Sequence, residues 1–503
     1  MQSLHPLDFV VITAYFLAMI GIGLWSMRRT KSREDYLVAG RRLGFPVFFG
    51  CIAALAVGGA VTVGGTGKGY EDGVAGILVG GSLGMGLIAL GMLISSKLNR
   101  LRALSINEVV ERNYGPLARV FGAVLTIVYT ISLTVVQVVS MGAIAAGLFA
   151  IPETAAMAVS GLVVVFYTFL GGMWSVTMTD IVQFVIKTLG VVILVPIFVL
   201  ASPRIGGLSG FLDKVPETHW DLGAYGWSGT LYWILLYVPG LVIGQDIWQR
   251  VFTARNERIA RTGTILAGVY SILYALCAVL LGMAVLAAGI QVDNSSLAFE
   301  AGVSAFLPAG VAGLLLAAAL AACMSVASGT ILACSTVVYN DLYLRFVRGQ
   351  KSSESASRTR TGEVTADGQV ATSRDVWINR AIALSIGLLT VVLAVVISDI
   401  FKALDLAYGF LSGCVFIPVF FSFVLRRISP RAGLVCLALS ALTVAGTMAY
   451  GEATGQADFA IGGNWPITFG IIVGLVSYLA VTALDKNRIT PNIDIDEEAP
   501  AAA

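Results

Sequence analysis

Two observations predict an all-α protein that crosses a membrane many times. Hydrophobic residues make up 57% of the chain, charged residues only 12%, and the mean hydropathy is +0.86. A soluble domain carries about 25% charged residues. The apolar residues also gather into runs long enough to span a bilayer, about 20 residues of helix each. Thirteen such runs lie near 8–27, 45–69, 73–96, 120–150, 155–171, 175–201, 229–249, 261–290, 308–339, 378–398, 403–425, 431–450 and 465–484. The reading is therefore thirteen transmembrane helices in one domain, residues 1–485.

The runs differ in what interrupts them. The first lacks a basic stretch before it and a small-residue cleavage site after it, so it reads as a true span and not a signal peptide. The second holds Gly58, Gly59, Gly64, Gly65 and Gly67, five glycines in ten residues. Each costs about 1 kcal/mol in a helix relative to Ala, so a continuous helix is disfavoured. The sixth carries Lys187 in an apolar context. A lysine inside a span is costly and normally faces the protein interior with a partner. The seventh contains Pro239-Gly240 and Gly244, a second interruption. A matched pair of broken spans points to a midplane substrate site, although glycines also serve close helix packing. The ninth is rich in serine around Ser325 and Ser328.

Between the runs, basic residues set the orientation. Of 32 lysines and arginines, 27 fall in alternate loops, including Arg250, Arg255 and Arg258 after the seventh run. By the positive-inside rule this places the N-terminus outside and the C-terminus in the cytoplasm of the cell inner membrane. Lys68 stands near Glu71 and Asp72 and reads as an interfacial side chain. Segment 342–377 is polar and poor in apolar residues, a cytoplasmic disordered loop. Segment 202–228, with His219, Trp220 and Trp227, is either a short amphipathic lid or a plain loop. Residues 486–503 form an acidic cytoplasmic tail. All six cysteines fall in or beside apolar runs, so no disulfide framework is expected, and neither histidine has metal-ligand spacing.

Four local patterns then occur in order. Tyr36-Leu37-Val38-Ala39-Gly40-Arg41 follows the first run, and Gly171-Gly172-Met173-Trp174-Ser175-Val176-Thr177-Met178-Thr179-Asp180-Ile181-Val182-Gln183 opens the sixth. Gln245-Asp246-Ile247-Trp248-Gln249-Arg250 closes the seventh. Met324-Ser325-Val326-Ala327-Ser328 lies within the ninth, with Asp341-Leu342-Tyr343 at its end. Together these resemble the sodium:solute symporter family, over residues ~8–485, with the choline-transporter branch locally most similar. The resemblance implies a leucine-transporter-type core. Two inverted repeats of five helices, about 45–201 and 229–425, would be flanked by one extra N-terminal and two extra C-terminal helices.

The resemblance also implies cation sites. The shared sodium site would use the carbonyls of Ala54, Val57 and Ala322, the hydroxyl of Ser325, and a second hydroxyl where this chain has Val326. A second site in some members would use Asp180, Ser325 and Ser328, with Gly329 where another hydroxyl is expected. Both are depleted. Lys187 lies seven residues after Asp180, on nearly the same helix face and about 10 Å along the axis. Burial penalises a charged amine, so this lysine is expected to exchange a proton and replace the ion. Protonated, it would bond the carbonyls of Ala54, Val57 or Ala322 and Ser325. The coupling ion is then H+ or Na+, and a quiet structural pairing of Lys187 remains the alternative.

The substrate is expected at the two breaks. The freed amides of Gly58, Gly59 and Ala60 suit an anionic group. Asp246 would meet a substrate amine, serve as an inner gate, or pair with Arg250 one turn on. Gln137 and Gln245 would line the pocket or bond a neighbouring helix. Where the choline branch is implied to carry cage tryptophans, this chain has Ala56 and Gly244, which argues against choline. No nucleophile–base pair or metal cluster is evident, and Gly64-Gly65-Thr66-Gly67-Lys68-Gly69 lacks nucleotide-loop spacing. An enzyme is therefore not expected, nor a cofactor or nucleic-acid partner. The expected partners are a small amine, zwitterion or monocarboxylate and the lipid bilayer. A membrane sensor without transport is the reading of another class, and the chain ends too soon after its last span for a kinase domain.

Overall fold

A computed structural model describes residues 5–28, 30, 33–101, 103–149, 151–349, 373–397, 400–455, 464–485 and 490–491. Among the described residues, eleven helices are long and apolar enough to cross a membrane. The principal helices are α1 Pro6–Met27, α2 Phe45–Ala56, α3 Ala60–Leu93, α4 Pro116–Phe149, α5 Glu153–Leu200, α6 Gly226–Ile243 and α7 Gln245–Val251. They continue as α8 Glu257–Ala287, α9 Val311–Phe346, α10 Ser373–Ile397, α11 Lys402–Val424, α12 Pro430–Thr454 and α13 Trp465–Leu484. Of these, α2 and α7 are too short to cross alone. The runs read at 155–171 and 175–201 are the two arms of α5, a 48-residue stretch that parts at Gly172. Gly172 bends it, at φ 55 and ψ −141.

Local chemistry fixes the ends. His5 caps α1, with Asp8 returning the bond and Pro6 in the first turn. Asp8 also accepts from the amides of Gly310 and Gly313, both at 2.7 Å, and so ties α1 to the start of α9. Asn256 caps α8 by accepting from Ile259. Of the spans, α9 is the most enclosed: 89% of its most apolar window is buried, against 22% for α13. It is the axis of the bundle, and α13 is a lipid-facing flank.

The chain breaks at both interruptions, in the second at Gly244 and not at Pro239-Gly240. After α2 the chain turns extended at Val57 (φ −121, ψ 108) and resumes through a π-helical turn, Ala60–Gly64. After α6 it turns extended at Gly244 (φ −63, ψ 125), and α7 begins. Pro239-Gly240 does not break the helix; α6 runs through it to Ile243. Gly240 serves packing instead, since a Cβ there would meet the Tyr408 ring at 2.5 and 2.7 Å.

Segment 202–228 folds into Gly207–Lys214 and Glu217–Trp220, with Phe211 edge-on to Trp220 and His219 Nε2 3.3 Å from the Tyr70 carbonyl. Lys68 pairs with Glu71 at 2.8 Å and Asp72 at 3.4 Å. Of the loop read at 342–377, the described flanks belong to α9 and α10, and 350–372 lies outside the described residues. In the tail, Thr490–Pro491 pairs antiparallel with Arg427–Ile428; the rest of 486–503 lies outside the described residues. All six cysteines are buried thiols.

Candidate coupling and substrate sites

Lys187 is fully buried, and its ammonium reaches across from α5 to the end of α2 and to α9. Nζ donates to the Ala54 carbonyl (2.5 Å), the Val57 carbonyl (3.2 Å) and Ser325 Oγ (3.1 Å). The carbonyls are within reach because α2 ends there: the last turn of a helix leaves its C=O groups without intrahelical partners. Ser325 in turn donates within 2.9 Å of the Ala54 carbonyl and 3.1 Å of the Ala322 carbonyl. Ala322 thus meets Ser325 and not the lysine. An ammonium has three donors, and this cradle offers three acceptors. Val326 supplies no oxygen and turns instead toward the substrate cavity.

Asp180, about two turns earlier on α5, is equally buried but does not pair with Lys187. Its Oδ2 accepts from Arg250 at 3.0 Å. Counted in the sequence as a loop charge, Arg250 is 1% exposed. The correction has a steric cause at Gly329: a Cβ there would stand 2.7 and 2.8 Å from the guanidinium nitrogens. Glycine at 329 makes the berth, and Arg250 fills it. Asp180 Oδ1 and Arg250 Nε keep no partner among the described residues. Ser328, expected beside Asp180, donates to the Ser325 carbonyl of its own helix.

A candidate solute cavity lies between the two breaks. Gly58, Ala60, Gln137 and Asp246 line it, with aliphatic residues of α2, α3, α4, α6 and α11. Gln137 Oε1 accepts from the Gly59 amide at 3.0 Å, so that amide is engaged. Asp246 accepts from Tyr129 at 2.9 Å; the expected partner, Arg250, reaches only its backbone carbonyl, at 3.4 Å. Gln245 does not line the cavity. It accepts from the Ile106 amide and donates to the Leu104 carbonyl, pinning α7 to that connection.

Sequence reasoning also passed over the tyrosines. Tyr237 and Tyr408 line the cavity, with ring centroids 5.2 Å apart at 85°, and Tyr129 stands 5.6 Å from Tyr408. Aromatics in apolar runs read as core, and only the break at Gly244 shows which of them face a cavity.

With this geometry in place, comparison decides the kinship. The profile of the sodium:solute symporter family matches residues 36–439. The chain belongs to that family. Among its relatives, the sodium/proline symporter of Salmonella typhimurium is 25% identical over 469 residues, 88% of each chain. High-affinity choline transporter 1 of Caenorhabditis elegans is 26% identical over 290 residues, 55% of this chain and 49% of that one. The symporter described here therefore spans about half the length of that choline relative. A solved Na+-coupled sialic acid symporter shares its fold, with a TM-score of 0.73 over 95% of this chain and 98% of that one at 17% identity.

The relatives of this symporter are transporters and not enzymes. As a family member it is a multi-pass membrane protein that couples solute movement to a cation. Sodium is a hard ion that wants an all-oxygen shell. Here the first cradle holds a nitrogen among its oxygens, and the second holds a guanidinium. Neither donor set, as arranged, fits a sodium ion.

Proposed function

We propose that this symporter imports a small organic solute with proton binding at Lys187 in place of a bound sodium ion. The observation that carries the reading is the three-acceptor cradle of Ala54, Val57 and Ser325 around Lys187 Nζ. Protonated, the side chain clamps α5 to the end of α2 and to α9. Deprotonated, it offers only two donors and a lone pair, and the lone pair faces a carbonyl or hydroxyl oxygen. Loss of the proton thus loosens the joint between a broken helix and the central one. A two-state joint of that kind is what alternating access requires.

The finer architecture belongs to the same reading. Gly73 and Gly172, both at positive φ, divide α3 and α5 so that thirteen spans result. Residues 45–201 and 229–425 are the inverted repeats, with the broken helices in matching positions. The N-terminus is outside and the C-terminus cytoplasmic, in the cell inner membrane. Asp180 and Ser328 support the coupling site, while Gly58, Ala60, Gln137 and Asp246 bind the solute and Gly59 holds Gln137 in place.

The test is made in liposomes with a solute found by a thermal-shift screen. Wild type is expected to show solute-stimulated proton uptake without Na+, and Lys187→Ala to lose it. Because Lys187→Ala leaves the oxygens of Ala54, Val57 and Ser325 without their cation, its melting temperature is expected to rise on adding Na+ while the wild type's does not. Strict Na+ dependence in wild type, with coupling intact in Lys187→Ala, would return the chain to ordinary sodium-driven symport, the mode named for its relatives.

A further inference from the structure

We propose that the carried solute is a small organic cation without a carboxylate, an amine whose ammonium is bound by Asp246 within a wall of tyrosine rings. This rests on the transporter reading above and narrows it.

The first argument is charge. Among the described residues, Asp246 is the sole charged side chain lining the cavity. It is 3% exposed, and no Lys, Arg or His lies within ion-pair distance of it among the described residues. Arg250, one of the partners weighed for it, pairs with the Asp180 carboxylate and reaches only the backbone carbonyl of Asp246, at 3.4 Å. A buried carboxylate without a cationic partner is costly. The Tyr129 hydroxyl orients it but brings no charge.

The second argument is shape and surface. Tyr237 and Tyr408 meet edge to face at 5.2 Å and form a corner of the cavity. Ring faces attract a cation. The Tyr237 hydroxyl is buried and has no partner among the described residues, which leaves a polar group in the wall for a solute to satisfy.

The third is the lack of any seat for an anion. No lysine or arginine among the described residues lines the cavity. Lys187 is held by its three acceptors and Arg250 by Asp180. The Gly59 amide is held by Gln137. A monocarboxylate would meet Asp246 with no cationic side chain in the cavity to offset the repulsion. A zwitterion would satisfy Asp246 and leave its own carboxylate without a partner.

Four probes of equal chain length separate the classes: butylamine, butanol, butyrate and 4-aminobutyrate. Binding is measured by calorimetry on the purified full chain. Butylamine is expected to bind, and the other three to bind at least about tenfold more weakly, the scale of one lost buried charge contact. Asp246→Asn is expected to weaken butylamine by about tenfold or more. Should that variant fail to fold, Tyr408→Leu, which removes a ring face and leaves the acid, is expected to weaken it by about fivefold. Binding of butyrate or 4-aminobutyrate in preference to butylamine overturns the proposal. So does silence from butylamine, or unchanged affinity in the folded variants. Coupling is read separately in liposomes. Butylamine that binds but moves no protons leaves the solute class standing and sinks the proton-coupled reading. Proton uptake driven by butyrate and abolished in Lys187→Ala does the reverse.

Discussion

At position 329 any side chain would collide with a charge. The Cβ of an alanine would stand 2.7 and 2.8 Å from the Arg250 guanidinium and 2.9 Å from Leu55. Overpacking of that kind costs about 1–3 kcal/mol, and here it would also strain the Arg250–Asp180 pair. Gly329→Ala is therefore expected to lower the melting temperature clearly, and an unshifted melt would show that Arg250 has room to move. Lys187 was legible at this scale because a lysine in an apolar run demands an explanation on its own. Arg250 was not, because it follows an apolar run and precedes Arg255 and Arg258, where every arginine looks like a loop charge. Only the size of the residue opposite distinguishes a buried guanidinium from a solvated one, and that residue is 79 positions away.

The breaks decide most at the scale of elements. Gly58-Gly59 mark the end of α2, where each glycine weakens a helix, while Gly64, Gly65 and Gly67 lie within the helix that resumes at Ala60. Pro239-Gly240 misled: a proline removes a single donor, and packing around α6 tolerates it, while the lone Gly244 turns the chain. Of the two roles open to Gln245, the structure shows the structural one, bonds to the Ile106 amide and the Leu104 carbonyl. The bend in α5 is different again. Gly172 holds φ 55 and ψ −141, a region open to glycine alone, and a Cβ there would meet Tyr36 at 2.5 and 2.7 Å. Gly172→Ala is expected to destabilise by about 1–3 kcal/mol, read as a shift in the thermal melt of the purified protein. A neutral result would mean that α5 bends because its neighbours force it and not because glycine permits it.

Taken whole, the molecule concentrates its charges at a few joints in an apolar bundle. One lies at the end of α9, where Asp341 takes Arg119 at 2.7 Å, Ser105 at 2.9 Å and Asn107 at 3.0 Å, all buried. Arg119 also pairs with Glu111, which takes Arg345 at 2.9 Å. This network joins α4, α9 and the helix Ile106–Tyr114. Removing one partner of a buried pair costs about 3–5 kcal/mol because the other charge stays behind. Asp341→Ala is expected to lose about that much in a chemical or thermal melt; a loss below about 1 kcal/mol would mean that apolar packing alone holds the ends. The class of fold was plain from composition, since 12% charge cannot clothe a soluble surface. The joint at Asp341 was not, because its partners Ser105 and Arg119 lie more than two hundred positions away.

A dissolved ion fills its site in proportion to its abundance outside. Lys187 is tied to α5, so its nitrogen is present at an effective concentration on the order of millimolar or more, whatever the medium contains. Fresh water and brine would leave that seat equally full. What remains adjustable, on the coupling proposed here, is whether the nitrogen carries its proton, so acidity and not salinity would be the environmental variable this carrier feels.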